Sequence, residues 1–458
     1  MALPVTILHP VFQGFLDRID NPAFEPGRGI VPIVSKLIST ASQIYPSEEV
    51  LAGLCGYMEQ AVPTGTCILD GTISKKLGGC FVPLLCTEYK PGIDEEGGYD
   101  PSTQDAYPVR ASLVSKEVCG SRVFFTIPYS PSVQFTDVLE RCCCPSFLLS
   151  GAGPYLCILG IVFTDKLIVQ RLTDIMWVGR ATYLEGSHIY RLARIFESLR
   201  FALAELDGYY SRVLQDPNIP ALILNEPHPR FFPYPTKFRE YCAEANGAVT
   251  EFEYINASCM DPTNVSFTAR VKSSGQKLFI RFVEKYGAAA HQLLANAGMA
   301  PRLLYCGLPD GTDDVRRVGS RALGRIREYG LYEGPIRMVV MQHVEGKTMD
   351  KVSPPPENAC DQTWKAIMEL HSAGMVFGDL QGPNVLVSGE KIFLTKFDWA
   401  GREGEAYYPG DLSREVNWPE KVEELELEPI LMVHDRFMLS QLFPSECSLA
   451  DNQMKMLY

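Results

Sequence analysis

Six prolines crowd one short stretch, at positions 217, 220, 227, 229, 233 and 235 of DPNIPALILNEPHPRFFPYP. Proline removes a backbone donor and pushes its predecessor toward extended conformations, so this stretch is neither a helix interior nor a central strand. It reads as a linker, 216–235. The chain is thereby divided into a first region, 1–215, a second, 236–446, and a tail, 447–458. At ~100–200 residues per domain, 458 residues suffice for this arrangement. No internal repeat is found.

Composition narrows the function classes. With 46% hydrophobic and 21% charged residues, the chain is not a disordered polymer. Basic residues number 42 against 55 acidic ones, a net charge of −13 that argues against general binding to a nucleic-acid backbone. The N-terminal MALPVTILHP has no basic leader, so no signal peptide is expected. The apolar run 147–163 is interrupted by Gly151, Gly153, Pro154 and Gly160. It reads as two buried strands with a turn rather than a membrane anchor. The 14 cysteines have no regular spacing and form no CxxC pair, which suits reduced thiols and an intracellular location, cytoplasmic or nuclear.

The first region reads as mixed α/β. A helix is expected over 47–61, strands over 80–90, 155–163 and 166–172, and an amphipathic helix over 192–206 that Gly208 ends. The second region opens with strands around VTEFEYINAS, VSFTARVK and KLFIRFVEKY, the last two joined by a turn at SSGQ. AAAHQLLANAG is helical, IRMVVMQHVEG a buried strand, and DQTWKAIMELHSAG a helix capped by Gly374.

That last helix leads into VFGDLQGPNVLV. Here Asp379 and Asn384 stand five residues apart in one tight loop, so both side chains can face one site. Phosphoryl transfer needs such a pair: an acceptor for the hydroxyl proton and a neutral oxygen for the metal on the phosphates. With the flanking helix and strand, the order resembles a two-lobed protein-kinase-like fold, making the whole chain α+β. The stretches AAAHQLLANAGMAPRLLYCG, IRMVVMQHVEG, LHSAGMVFGDLQGPNVL, FDWAGREGEAYYP and VHDRFMLSQLF resemble the fungal-type protein-kinase-like family of mushroom-forming fungi. The GDL form, with Gly378 where arginine is usual, is also similar to aminoglycoside phosphotransferases. The resemblance implies ATP and Mg²⁺ as cofactors, with a Ser/Thr hydroxyl of a protein as acceptor. Asp379 would be the catalytic base and Asn384 a metal ligand. An Asp on a later helix, here Asp435, often braces the catalytic loop in such folds, although an exposed helix-start acid fits the sequence equally.

The sequence departs from the working pattern. The phosphate-contacting lysine falls at Arg281, whose planar fork is not equivalent to an ammonium. The acidic partner on the next helix falls at Ala289. The metal-binding acid falls at Lys396, and lysine does not ligate magnesium. Asp398, two residues on, would point to the same face of an extended segment and serve as metal ligand instead. No glycine-rich cover is found in SCMDPTN, 258–264. Two readings follow: a working kinase using Asp379, Asn384 and Asp398, or a pseudokinase acting by docking to a protein partner. In the second, the Lys396 ammonium replaces the metal's charge.

The first region carries a separate constellation: Asp70, then Glu88 and Lys90 on one face of a strand, then Gln104. This resembles the D…E-x-K pattern of restriction-endonuclease-like nucleases, in which two carboxylates hold Mg²⁺ and the lysine orients water. The alternative is an edge strand with solvated charges. The acidic loop Asp94-Glu95-Glu96 opposes a phosphate backbone.

Overall fold

In the computed structural model the described residues are 3–42, 51–62, 66–69, 72–77, 80–90, 141–180, 185–213, 215, 228–240, 248–261, 264–311 and 324–444. The chain divides into two compact units, Ala2–Tyr234 and Pro235–Tyr458. Both mix helices with strands, so the chain is α+β.

In the first unit, helices α1 (Val5–Leu8), α2 (Pro10–Asp20), α3 (Ile30–Ala41) and α4 (Ala52–Glu59) precede the sheet. Strands β1 (Thr66–Leu69), β2 (Thr72–Leu77), β3 (Cys80–Lys90), β4 (Ser146–Ala152), β5 (Tyr155–Phe163) and β6 (Leu167–Arg171) lie side by side in chain order, and β7 (Met176–Trp177) also pairs with β5. The β3–β4 pair is parallel and the other neighbours are antiparallel. Strands β4 and β5 are buried along nearly their whole length, which is why they read as one continuous apolar run. They turn at Gly153-Pro154, and Gly153 takes φ 53°, a left-handed conformation that suits glycine. A β-carbon on Gly160 would lie 2.9 Å from Phe12 and 3.0 Å from Val5, so the glycine is what lets α1 and α2 close on the sheet.

Helix α5 (Glu185–Val213) runs through Gly208 rather than stopping there. A helix tolerates one interior glycine at about 1 kcal/mol, and the next turn is anchored: buried Tyr210 donates to the Pro145 carbonyl at 2.7 Å. The helix expected over 47–61 is seen as α4 alone, residues 47–50 lying outside the described residues. Residues 228–234, expected in the linker, pack into the first unit. Buried Arg230 donates to the carbonyls of Phe163 and Thr164, and Tyr234 N–H donates to Ile7. Residues 216–227 and the 445–458 tail lie outside the described residues.

The second unit begins with β8 (Lys237–Arg239), β9 (Val249–Asp261), β10 (Asn264–Val271) and β11 (Lys277–Val283), followed by α6 (Ala288–Asn296) and β12 (Leu303–Gly307). A short ribbon, β13 (Arg325–Ile326) and β14 (Tyr332–Glu333), precedes β15 (Arg337–Gln342). Antiparallel pairing gives the sheet order β12-β15-β11-β10-β9-β8. The rest of the unit comprises β16 (Lys347–Thr348), α7 (Ala359–Ser372), β17 (Met375–Val376), β18 (Val385–Ser388), β19 (Lys391–Leu394), β20 (Gly401–Arg402), α8 (Val422–Leu425) and α9 (Met432–Leu442). One apolar core joins α6, α7, α9 and the inner strands, with Leu294, Val339, Ile367, Phe377, Phe397 and Leu439 at its centre. Among the described residues, no helix is long and apolar enough to cross a membrane.

Candidate functional site

The site is built on the loop between β17 and β18. Its start is fixed from below by Asp435 on α9, which is fully buried (0% exposed). One carboxylate oxygen accepts from Phe377 N–H and the other from Gly378 N–H, each at 2.8 Å; His371 Nε2 donates to the first at 3.0 Å. Three donors compensate the desolvation of that carboxylate. Gly378 has φ 84°, and a β-carbon there would lie 2.7 Å from Ile430, so any side chain at this position would be strained.

Asp379 follows at once. Asn384 Nδ2 donates both to its backbone oxygen at 2.8 Å and to its Oδ2 at 2.7 Å, and Gln381 donates to Oδ1. The backbone of Asn384 is pinned in turn, its carbonyl accepting from Thr395 N–H and Oγ1. Burial drives the Asp379 carboxyl up to about 6, opposed by the hydrogen bonds from Asn384 and Gln381 and by the charge of Lys396. A carboxylate that titrates near neutrality can take up a proton and give it back at ordinary pH.

Arg281, Lys396 and Asp398 are also brought to this place, in an arrangement the sequence did not suggest. Arg281 and Asp398 were expected to serve phosphate and metal separately. They instead form a two-pronged ion pair, with NH1–Oδ1 at 2.9 Å and NH2–Oδ2 at 2.8 Å. Arg281 is only 1% exposed, and burial weakens its charge, but the Asp398 carboxylate outweighs that and holds the guanidinium charged. Asp398 is thus the counter-charge of Arg281, and Ala289, where the resemblance implies an acid, is exposed on α6. Lys396 has φ 59°, a left-handed backbone that asparagine and aspartate accept far better than lysine. Burial lowers the affinity of its ammonium for the proton, as does the Arg281 charge, while Asp379 and Asp398 oppose both.

The segment carrying Lys396 and Asp398 is clamped to α6. The His291 ring stacks on Phe397 with centroids 4.5 Å apart and planes 6° from parallel. Its Nε2 donates to the Pro301 carbonyl at 2.8 Å, which leaves Nδ1 to accept from Tyr286 Oη at 2.8 Å. Gly287 N–H donates to Phe397 O at 2.7 Å. Nothing in the spacing of His291 announced this role.

Magnesium fits this set poorly. Asn384 Oδ1 is a neutral oxygen, both oxygens of Asp398 are engaged by Arg281, and an ammonium stands where a second acid is needed. Among the described residues no cluster of three His, Cys, Asp or Glu side chains could hold a metal ion.

In the first unit only part of the expected constellation lies among the described residues. Glu88 lies half-buried on β3, opposite Ser150 of β4. The backbone of Lys90 continues the same strand, opposite Ala152. Asp70 and Gln104, with Asp94, Glu95 and Glu96, lie outside the described residues. A separate cleft of about 550 Å³ is lined by Cys142, Cys143, Tyr209 and Arg230. Cys142, Cys143 and Cys144 are all buried.

No protein-family description matches this chain, and no curated protein matches it.

Proposed function

We propose that residues 235–444 form a two-lobed protein-kinase-like module of the fungal type, whose nucleotide site works without a bound metal or serves as a docking surface. The single observation that carries this reading is the loop itself. Asp379 is bonded to Asn384 five residues on, and its base is braced by the buried Asp435. The metal set argues for the pseudokinase form. Asp398 is committed to Arg281, and Lys396 offers a positive charge where a divalent ion would otherwise neutralise phosphate. Asn384 would hold the loop, and Lys396 would hold ATP phosphates.

A second reading, a working phosphotransferase acting on a protein Ser/Thr hydroxyl, is favoured by one observation. The Asp379 carboxyl is raised to about 6, where it can act as general base.

Thermal unfolding of the full chain with ATP alone and with ATP plus Mg²⁺ separates the two. Ligand at 100 times its Kd stabilises by ~2.7 kcal/mol, a visible shift. A shift with ATP alone supports the metal-independent site. A shift that requires Mg²⁺ supports the phosphotransferase. No shift in either condition removes the nucleotide from the proposal and leaves docking. For the first unit, Mg²⁺-dependent cleavage of DNA that Glu88→Gln abolishes would support the nuclease reading.

A further inference from the structure

Asp398 of the ion pair also lines a cleft of about 730 Å³, bounded by α6, β15 and the segment 398–407. Arg337 opens β15 and lines this cleft while being only 2% exposed. Its guanidinium lies over the Tyr332 ring at 4.9 Å, a contact that accounts for one face of the group. Its Nε and NH2 atoms are buried and take no hydrogen-bond partner among the described residues. No described carboxylate pairs with it. A guanidinium does not shed its proton, so this is a charge carried into the interior with part of its fork unanswered. Buried polar atoms left this way call for an explanation.

Two further features face the same space. Lys285 lines the cleft, half-buried, its Nζ giving one hydrogen bond to the neutral Tyr407 carbonyl at 3.1 Å. Burial pushes its ammonium down, opposed by the charges of Asp398 and Glu284. The N-terminus of α6 also opens here: Gly287 gives no side-chain cap, the first turn holds no acid, and Ala289 lines the cleft. The first amides of a helix lack helical acceptors, but those of Gly287 and Ala288 are taken by Phe397 O at 2.7 Å and Tyr286 O at 3.0 Å, so Ala289 N–H is the first donor of α6 with no acceptor among the described residues. Gly287 is obligatory, because a β-carbon would fall 2.3 Å from Ala400 O. The nearby acids answer these cations only in part: Asp398 and the exposed Glu284 oppose the effect of burial on Lys285 without cancelling it. Asp398 is engaged by Arg281, and Glu405 is exposed alongside the exposed Arg402. Leu293, Met375 and Trp399 add apolar wall, enough for a small ring.

We propose that this cleft binds a small organic phosphate monoester, its dianion held by Arg337, Lys285 and the Ala289 amide and its organic part against the apolar wall. The inference rests on the cleft alone and stands whether or not Asp379 belongs to a kinase-like site.

Titration calorimetry of the full chain with phenyl phosphate, inorganic phosphate and benzyl alcohol tests it. Saturable binding of phenyl phosphate is expected, with inorganic phosphate weaker and benzyl alcohol silent. Arg337→Met should weaken phenyl phosphate at least tenfold. That change removes a buried charge, so the fold should tolerate it; if the variant does not fold, Lys285→Met reads the same loss. Absence of saturable binding, or unchanged affinity in the folded variants, overturns the proposal. So does a loss that follows Lys396→Met and not Arg337→Met, which would place the anion at the nucleotide site.

Discussion

The Asp379 carboxyl offers a pH test that needs no substrate. Unfolded, it releases its proton near the ordinary 3.8; folded, burial holds the proton to about 6. Between those values the folded chain binds more protons than the unfolded one. Stability therefore falls as pH rises through this window, and the penalty is complete and constant above it. Two units at ~1.36 kcal/mol each set an upper limit of ~3 kcal/mol. Because Asp379 is partly exposed, solvent screening reduces this to ~1–2 kcal/mol. An Asp379→Asn variant cannot ionise. Any fixed cost of the amide against the Asn384 and Gln381 donors is nearly the same at every pH. The stability of the variant relative to the parent should therefore rise by ~1–2 kcal/mol between pH 4 and pH 7. The assay is urea unfolding followed by tryptophan fluorescence. Three of the four tryptophans, Trp364, Trp399 and Trp418, lie in the second unit. A difference that stays flat with pH, or that shrinks as pH rises, would refute the claim that burial dominates this carboxyl.

Asp435→Ala should destabilise the second unit by ~3–5 kcal/mol, since it strands two buried amides and His371; a change below ~1 kcal/mol in urea unfolding would show the brace to be dispensable. A double-mutant cycle on Arg281→Met and Asp398→Asn should give a coupling of ~1–3 kcal/mol, with the double variant more stable than the sum of the singles predicts. Additivity within ~0.5 kcal/mol would break the assignment of Asp398 as the arginine's counter-charge. Lys396→Asp should relieve left-handed strain by up to ~1 kcal/mol and make any ATP-induced thermal shift depend on Mg²⁺; a Mg²⁺-independent shift in the variant would refute the link between Lys396 and the metal. In the first unit, Gly160→Val should cost ~1–3 kcal/mol by driving a side chain into Phe12 and Val5, read as a loss of thermal stability.

Local pattern carried much of the architecture. The strands at 80–90 and 155–163 and the helix leading to Gly374 follow from periodicity and turn residues that lie next to each other in the chain. So does the Asp379–Asn384 contact, because the loop is short. What escaped was set by distant parts of the chain. Gly208 looked like a helix stop until the hydrogen bond of Tyr210 to Pro145, 65 residues away, is counted. Arg281 and Asp398 are separated by 117 residues, and neither residue type names its partner. The burial of Arg337, with Nε and NH2 unpartnered among the described residues, is likewise invisible in sequence. Gly378 was legible as a departure, but only its φ and the approach of Ile430 explain it.

The clamp on His291 has a mechanical consequence. One ring ties three pieces of chain: α6 through its own backbone, Pro301 through Nε2, and the 396–400 segment through Phe397. In molecules where a helix swings to switch a site on and off, the contact between helix and loop is sliding and easily remade. Here it is a flat stack closed at both nitrogens, and a second tie runs from Gly287 to Phe397. Lys396 and Asp398 are therefore tied to α6 through Phe397, so a movement of α6 relative to this segment would have to break the stack and the Gly287–Phe397 hydrogen bond together.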